Sequence, residues 1–286
     1  MQSLEVKMYA YLLLFCFSLI SSVGASELNV MTINTEWLWT PHDHLVDGRR
    51  YNKGDMSAKA YNEEIRFYSA VIKKQSVNLL AVSEIENEVV ANDLALAFGP
   101  EWKAYFKQGR DTATGQDVAI ISKLDPVIGS LTDFGFPSGQ LPGFFDKKKR
   151  LSKVAGAQFW ISSPGDVKKN KVGVITAHFL SKRKDNLKKS KNRQRQAYAL
   201  VKAMDEFIRE VDHLIVLGDF NDFIDSKTLS TLMSKYALTS AEPSVKNRRS
   251  WRIDHILFRN FKQIEFKTID LKKYSDHDAI FVSLKH

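Results

Sequence analysis

The sequence predicts an α/β protein in which buried β-sheets are covered by helices. Apolar segments of strand length, rich in Val and Ile, recur along the whole chain and end in polar or glycine-containing turns. Segments with the 3.6-residue apolar period of amphipathic helices lie between them. Several of the short apolar segments have no polar face, as expected for strands that are buried on both sides. Together these patterns favour sheets beneath helices over a helical bundle.

The elements follow in order along the chain. The predicted strands cover residues 28–33, 78–82, 118–121, 172–177, 214–217, 253–258 and 279–284. A first helix begins near Ser57, because residues 61, 65, 68 and 72 place Tyr and Ile on one face. A second helix carries apolar residues from position 197 to 208 and ends near Glu210, and residues 228–236 form a third.

The first 25 residues are predicted to be a signal peptide. Residues 8–23 are almost wholly apolar, and the small residues Gly24 and Ala25 follow them as a cleavage site. An uncleaved membrane anchor is the alternative, but a membrane span needs roughly 20 apolar residues. We therefore expect cleavage near Ala25, a secreted or periplasmic protein, and a single domain over residues 26–286, without internal repeats or a Gly/Ser linker.

Cysteine content and charge narrow the chemistry. The only cysteine, Cys16, lies in the predicted leader, which excludes disulfides, thiolate zinc sites and cysteine nucleophiles from the remainder. The net charge is +9. Two basic clusters carry much of this charge, one over residues 182–195 and one over residues 147–153. Such clusters either solubilise the surface or bind a polyanion such as nucleic acid, anionic lipid or lipopolysaccharide.

Five polar motifs follow the apolar segments, at the points where strands would end. They are Asn34-Thr35-Glu36, Ser83-Glu84-Ile85-Glu86-Asn87, Thr176-Ala177-His178, Gly218-Asp219-Phe220-Asn221-Asp222 and Tyr274-Ser275-Asp276-His277. Each motif has a structural alternative, since Gly, Asp and Asn form turns and acidic residues favour helix N-termini. Their recurrence in one structural setting favours a metal-dependent hydrolytic site assembled from distant segments.

The residue types indicate roles. Asp219 can accept a proton from an attacking water, and Asn221 can orient that water or hold a phosphoryl oxygen. Glu84 is a hard oxygen ligand suited to magnesium or manganese, and Asn34 can hold Glu84 or the metal in place. His178 and His277 each need an acidic partner to fix the imidazole, and Asp117 and Asp254 are the candidates.

These motifs, in this order, resemble the endonuclease/exonuclease/phosphatase superfamily from Asn34 to His277. That group includes pancreatic-type deoxyribonuclease, abasic-site endonucleases, neutral sphingomyelinases and inositol polyphosphate phosphatases. The Gly218-Asp219-Phe220-Asn221 and Ser275-Asp276-His277 motifs are the most specific. The resemblance implies a four-layer sandwich of two packed β-sheets flanked by helices, with a catalytic domain over residues 26–286.

The resemblance also implies a set of roles. Glu84, Asp276 and Asn34 would form the metal site, and Asp219 with Asn221 would act at the water and the phosphate. Asp117 would support His178, as in the deoxyribonuclease branch, and Asp254 would support His277. The implied reaction is metal-assisted, in-line hydrolysis of a phosphate ester with Mg²⁺, with Mn²⁺ or Ca²⁺ as alternatives.

The substrate is a separate question, because a fold does not determine it. The first hypothesis is a secreted bacterial-type nuclease, active on DNA and in one version also on RNA, that acts as a monomer. Lys182, Arg183 and Arg193 would bind the nucleic acid. The alternative is a sphingomyelinase-like lipid phosphodiesterase or a phosphatase. For the lipid enzyme, a loop over residues 131–150 with four phenylalanines would contact the membrane. A non-catalytic phosphate-binding module is the third hypothesis.

Overall fold

The computed structural model of the protein describes residues 27–41, 57–110, 116–142, 147–162, 168–242 and 252–286. The predicted leader, residues 1–25, lies outside the described residues, so its cleavage and the domain boundary at Ser26 remain predictions. Four α-helices lie in the described ranges: α1 (Ala58–Lys74), α2 (Glu88–Phe98), α3 (Leu187–Phe207) and α4 (Lys227–Ser234). None of these helices has both the length and the hydrophobicity needed to cross a membrane.

The same ranges contain strands that form two large sheets. They are β1 (Glu27–Leu38), β2 (Leu79–Ile85), β3 (Lys103–Phe106), β4 (Asp117–Ser122), β5 (Asp125–Pro126), β6 (Ser138–Gly139), β7 (Lys149–Arg150), β8 (Val154–Ile161), β9 (Asn170–Ala177), β10 (His213–Asp219), β11 (Thr239–Ser240), β12 (Asp254–Arg259), β13 (Lys262–Asp270) and β14 (Asp278–Lys285). The first sheet has the order β13-β14-β1-β2-β4-β3 and the second has the order β11-β12-β10-β9-β8-β5.

Each large sheet has one parallel pair at its centre. Strand β1 pairs with β2 and β9 pairs with β10, and helices α1 and α3 form the respective crossovers. The neighbouring strands β4, β8, β12 and β14 run antiparallel to these pairs. The carboxyl ends of the parallel strands therefore lie beside the amino ends of their antiparallel neighbours. Polar residues that follow the parallel strands therefore lie at the same sheet edge as polar residues that precede the antiparallel strands.

Three apolar layers hold the sheets and helices together. In β1 the side chains alternate: Met31 and Ile33 pack against α1 and α2, whereas Leu28 and Val30 pack against the second sheet. The opposite face of the second sheet packs against α3 and α4. The order of layers is thus helix, sheet, sheet, helix, and the predicted four-layer sandwich is confirmed.

Some elements were not predicted. Strand β13 is an exposed edge strand whose charged residues hide the apolar period. Strand β8 is rich in Ala and Gly, which have low β-propensity. Helix α2 begins after Asn87, whose side chain accepts hydrogen bonds from Val89 N and Val90 N. Asn87 in the second polar motif is therefore a helix cap, and Glu88 lies in the first turn.

The predicted aromatic loop offers little contact surface in its described part. Phe134 is half-buried and packs edge-on against Phe207 of α3, and Phe136 lies beneath the guanidinium of Arg110. Phe144 and Phe145 lie outside the described residues. The described phenylalanines of this loop thus pack within the protein. They no longer support the hypothesis that the loop contacts a membrane.

Candidate active site

The polar motifs meet in one cleft of about 620 Å³ between the edges of the two sheets. Asn34 and Glu84 come from the parallel pair β1 and β2, and His178 and Asp219 come from the pair β9 and β10. Asp254 begins β12 directly opposite Asp219 in the ladder. His277 directly precedes β14. Residues distant in sequence are thus placed together by strand direction alone.

A β-bulge turns Glu84 into this cleft. The register of β2 shifts between Ser83 and Ile85 against β4, and Glu84 has φ of 64°, in the left-handed region. Non-glycine residues rarely adopt that conformation. Three other cleft residues, Glu36, Trp37 and Asn221, also have positive φ. Such strained positions cluster where the fold must direct side chains at a site.

Gly218 allows the close approach of β9 and β10 that positions Asp219. Its φ is 130°, and a Cβ atom at this position would lie 2.4 Å from the carbonyl oxygen of Ala177. Only glycine satisfies both constraints without strain. The glycine before Asp219 is therefore required by the backbone of the site.

Asn34 joins the two sheets at the centre of the site. Its Nδ2 donates to Glu84 Oε1 at 3.2 Å and to Asp219 Oδ2 at 3.1 Å. The other carboxylate oxygen, Asp219 Oδ1, accepts from the backbone N–H of Asn221 at 2.8 Å. Asn34 Oδ1 in turn accepts from the backbone of Glu36. The orientation of the Asp219 carboxylate is thus fixed from both sheets.

Two groups of side chains have the composition of a metal site. The ligand atoms of Glu84, His178 and Asp219 lie within 4.8 Å of one another, as do those of Asp219, Asp254 and His277. Burial raises the pKa of Glu84. Burial, then the charge of Asp254, raises the pKa of Asp219 well above its usual range. A divalent cation would relieve this cost, and the carboxylate-rich donor set fits Mg²⁺ or Mn²⁺.

Asp276, which we predicted as a second metal ligand, belongs to neither group among the described residues. Its side chain is 71% exposed, and Oδ1 lies 3.7 Å from His277 Nε2. Its backbone N–H donates to Glu36 Oε2 at 3.1 Å. Asp276 thus lies on the cleft wall beside His277, while Glu84 is held by Asn34 and Gln116.

His277 carries a positive charge at neutral pH. Its Nδ1 lies 2.5 Å from Asp254 Oδ2, which matches the predicted pairing. Burial by itself would lower the pKa of His277. The Asp254 hydrogen bond and the charges of Asp254, Asp219 and Asp276 outweigh burial and raise this pKa to about 10. The imidazolium is therefore available to bind an anion.

His178 differs from His277 in its surroundings. Its Nε2 lies 3.7 Å from Glu84 Oε1 and 3.6 Å from Asp219 Oδ2. Its buried Nδ1 has no hydrogen-bond partner among the residues that the structure describes. Burial, then the charges of Lys153 and His277, lowers the pKa of His178 well below its usual value. His178 is thus neutral, with one ring nitrogen directed at the two carboxylates.

The structure does not pair Asp117 with His178, contrary to our prediction. The Asp117 carboxylate accepts hydrogen bonds from Gln108 Nε2 and from the backbone of Gly109. The preceding residue, Gln116, lines the cleft and donates from Nε2 to Glu84 Oε2 at 2.8 Å. Because successive side chains of an extended segment point to opposite faces, a one-residue offset selects the wrong side chain.

The predicted substrate-binding cations divide into two kinds. Arg183 is exposed and lines the cleft, and Lys182 lines it as well while its backbone N–H donates to Asn221 Oδ1 at 2.9 Å. Arg193 is 0% exposed, so the prediction that it binds substrate is wrong. Its guanidinium makes a bidentate contact with Asp185 and donates from Nε to Asp222.

Replacing Arg193 with Ala is expected to lower the free energy of unfolding by about 3 kcal/mol, because Asp222 would lose its buried partner. Urea denaturation measures this change. Arg183→Ala is the matched control, and as an exposed change it should stay within about 0.5 kcal/mol of the native protein. Equal effects of the two substitutions would contradict a structural role for Arg193.

The second basic cluster contributes cations that the sequence did not assign to the site. Lys149, Arg150 and Lys153 line the cleft together with Lys182 and Arg183. Glu36 and Trp37 line it too. Glu36 belongs to the first polar motif, which was an available signal. Lys153 and Gln116 were harder to predict as site residues. The only indication in the sequence is that each directly precedes a strand that flanks a parallel pair.

Solved structures share this fold over most of the chain. A Bacteroides vulgatus endonuclease/exonuclease/phosphatase is 14% identical, with 91% of this chain and 99% of that chain covered and a TM-score of 0.62. The human nocturnin catalytic domain with bound sulfate is 13% identical, with coverage of 91% and 94% and a TM-score of 0.59. A Bacteroides thetaiotaomicron mannosyl-6-phosphatase is 16% identical, with coverage of 91% and 100% and a TM-score of 0.56.

The sequence itself gives the family. No curated protein matches the chain. The model of the Endonuclease/Exonuclease/phosphatase family, however, matches residues 32–277, which span every polar motif described above. On this match, the chain belongs to the endonuclease/exonuclease/phosphatase family.

Proposed function

We propose that this protein is a metal-dependent phosphodiesterase that hydrolyses nucleic acid, with DNA as the main substrate and RNA as a further one. Members of its family are hydrolases that act on phosphate esters, and this coarser activity follows from membership. The observation that supports nucleic acid is the set of five Lys and Arg side chains that line the described part of the cleft. Such cations bind successive phosphates without regard to base sequence.

The side chains of the site divide the chemical work. Asp219, oriented by Asn34 and by the Asn221 backbone, is placed to accept a proton from the attacking water. Burial, then the charge of Asp254, raises the pKa of this carboxylate in the metal-free site. His277, charged and fixed by Asp254, holds a phosphate oxygen. Water attacks directly, so no covalent intermediate forms.

The metal belongs to the same proposal. The donor set around Glu84, with His178 and Asp219, fits a hard divalent cation, and we propose Mg²⁺, with Mn²⁺ or Ca²⁺ as alternatives. When bound, the cation would polarise the phosphate and stabilise the negative charge that develops on the leaving oxygen. Glu84 is held ready by hydrogen bonds from Asn34 and Gln116.

A phosphomonoesterase is the second candidate. It is favoured by the similar structure of a mannosyl-6-phosphatase, which covers nearly the whole of this chain. The lipid phosphodiesterase has less support, since Phe134 and Phe136 are half-buried.

We also propose export after cleavage near Ala25, because of the apolar leader. An unprocessed N-terminus in the exported protein would contradict this.

The nuclease proposal predicts that supercoiled plasmid is degraded with Mg²⁺, Mn²⁺ or Ca²⁺ and stays intact with EDTA. Replacing the cleft cations Lys149 and Arg183 together with Met should slow degradation about tenfold at low salt, because two phosphate contacts are lost. Lys169 and Lys235, which pair with Asp125 and Asp205 outside the residues lining the cleft, are the charge-matched control.

The outcomes separate the candidates. Plasmid that stays intact with each metal contradicts the nuclease. Release of inorganic phosphate from a sugar phosphate by the same preparation would then support the phosphatase. If the cleft and control variants slow DNA degradation equally, the cations act through overall charge and the cleft is not the nucleic-acid site.

A further inference from the structure

Lys153 is the buried cation of the cleft. The other four cations that line its described part are half-buried or exposed, whereas Lys153 is only 8% exposed. The ladder of β8 and β9 places Val154 opposite Ala177, and the backbone N–H of His178 donates to the Lys153 carbonyl at 3.0 Å. Lys153 and His178 are thus neighbours across two adjacent strands, and their relative position is fixed by the sheet.

Gln116 ties the Lys153 ammonium to the metal-binding carboxylate. Lys153 Nζ donates to Gln116 Oε1 at 3.2 Å, and Gln116 Nε2 donates to Glu84 Oε2 at 2.8 Å. The oxygen of the amide faces the cation and its nitrogen faces the anion, so these two contacts fix the orientation of Gln116. The ammonium is therefore held one side chain away from Glu84.

The charge of Lys153 is felt by both neighbouring site residues. Burial raises the pKa of Glu84, and Lys153 counteracts part of that rise. Burial lowers the pKa of His178, and Lys153 is the next cause of that decrease. These effects agree with the contacts through Gln116 and across the ladder. Lys153 therefore lies at the floor of the cleft, beside the reacting groups.

Burial of the Lys153 cation is unfavourable for the folded protein and for metal binding, but it favours phosphate binding. The ammonium is removed from water, and it opposes the binding of a metal ion to Glu84. The cleft is also lined by the carboxylates of Glu84 and Asp219, which repel a phosphate anion. The buried ammonium of Lys153 can counter this repulsion through a hydrogen bond to the phosphate. The half-buried and exposed cations of the cleft are screened by solvent and counter it less.

We propose that Lys153 is a phosphate-binding residue of the active site, whose ammonium, held by Gln116 beside Glu84 and His178, donates a hydrogen bond to a non-bridging oxygen of the reacting phosphate. This inference rests on the phosphate-ester chemistry of the proposed function and is independent of whether the substrate is nucleic acid. It adds a phosphate contact from a residue outside the five polar motifs, on the side of the cleft where Glu84 and His178 lie.

The inference gives two opposite effects of one substitution. Lys153→Met keeps the length and the apolar stem of the side chain but removes its charge. Binding of inorganic phosphate should weaken about tenfold or more, since a charge-assisted hydrogen bond is lost. Binding of Mn²⁺ without phosphate should tighten, because a repelling charge beside Glu84 is gone. Lys153→Arg should bind phosphate within about threefold of the native protein, because the charge and donors remain.

Isothermal titration calorimetry on the native protein and each variant measures both affinities, with phosphate titrated in the presence of Mg²⁺ and Mn²⁺ titrated alone. Lys149→Met, a half-buried lysine of the same cleft, is the control and should change phosphate binding less than Lys153→Met. Weakening of both ligands by Lys153→Met would show a structural role and overturn the proposal. So would unchanged phosphate affinity, or the absence of phosphate binding by the native protein.

Failure of the proposed function would look different. Hydrolysis of bis(p-nitrophenyl) phosphate by the native protein with Mn²⁺ tests the enzymatic activity separately from phosphate binding. If phosphate binds and depends on Lys153 but no ester is hydrolysed, the phosphodiesterase proposal fails and the role of Lys153 stands. If esters are hydrolysed equally well by the native protein and Lys153→Met, the role of Lys153 fails and the activity stands.

Discussion

Replacing Asp219 with Asn is expected to lower kcat by about 10³-fold, with a small effect on KM, because the side chain loses its capacity to accept the proton of the attacking water. The substitution preserves shape, and the backbone N–H of Asn221 still has an oxygen to bond. The measurement is hydrolysis of bis(p-nitrophenyl) phosphate under saturating metal. Asp205→Asn, a surface substitution on α3, is the matched control and should retain activity.

The stability of Asp219→Asn shows whether lost activity means lost structure. Removing a buried carboxylate stabilises the fold, because burial raises its pKa and so penalises its charge. The new amide, however, directs N–H groups at Asn34 Nδ2, which now donates to that carboxylate. These effects oppose each other, so we expect a net change in the free energy of unfolding within about 1 kcal/mol.

The pH dependence has a definite sign. The folded-state pKa of Asp219 is raised above its unfolded value of about 3.9, so ionisation destabilises the folded metal-free protein. This cost increases as pH rises from about 4 through the raised pKa, and it is constant above that range. Relative to Asp219→Asn, the native protein should therefore lose stability as pH rises in urea denaturation. A relative gain with rising pH would contradict the assigned environment of Asp219.

Much of this fold and site could be predicted because the relevant signals are local. Residues 214–217 are apolar at every position and residues 28–33 at four of six, and each segment lies within an observed central strand. Parallel strands end at one edge of a sheet, so motifs after such strands converge without knowledge of tertiary contacts. The pairing of His277 with Asp254 follows the same logic, since both residues lie at amino ends of antiparallel strands.

The errors arose where side-chain direction decides the outcome. Asp117 and Gln116 are adjacent in sequence, yet Gln116 bonds to Glu84 while Asp117 bonds to Gln108 and Gly109. Arg193 lies in a basic cluster like that of any exposed surface. Its burial depends on Asp222, 29 residues further along the chain, and on Asp185. Charge clustering reports composition, and only the fold determines which members of a cluster face solvent.

The Asp254–His277 pair gives the second large effect. Asp254→Asn keeps a hydrogen-bond acceptor for His277 Nδ1 but removes the negative charge that, with the hydrogen bond, overcomes burial and holds the pKa near 10. The pKa of His277 should therefore fall toward its ordinary value of about 6.5, so that the ring is neutral in the variant at pH 8. We expect kcat to fall about 10²-fold to 10³-fold at that pH, because the phosphate loses a charged donor.

The native and variant proteins should therefore differ most in alkaline solution. The folded pKa of His277 is raised above its unfolded value of about 6.5, so its contribution to stability is fully present below that pH. It is lost as pH rises through about 10 in the native protein. NMR titration of the metal-free proteins measures the imidazole directly, and urea denaturation across this range measures the linked stability. If the His277 imidazole titrates near pH 6.5 in the native protein, Asp254 does not hold the charge on His277. In that case Asp254→Asn would leave the decrease of activity at alkaline pH unchanged.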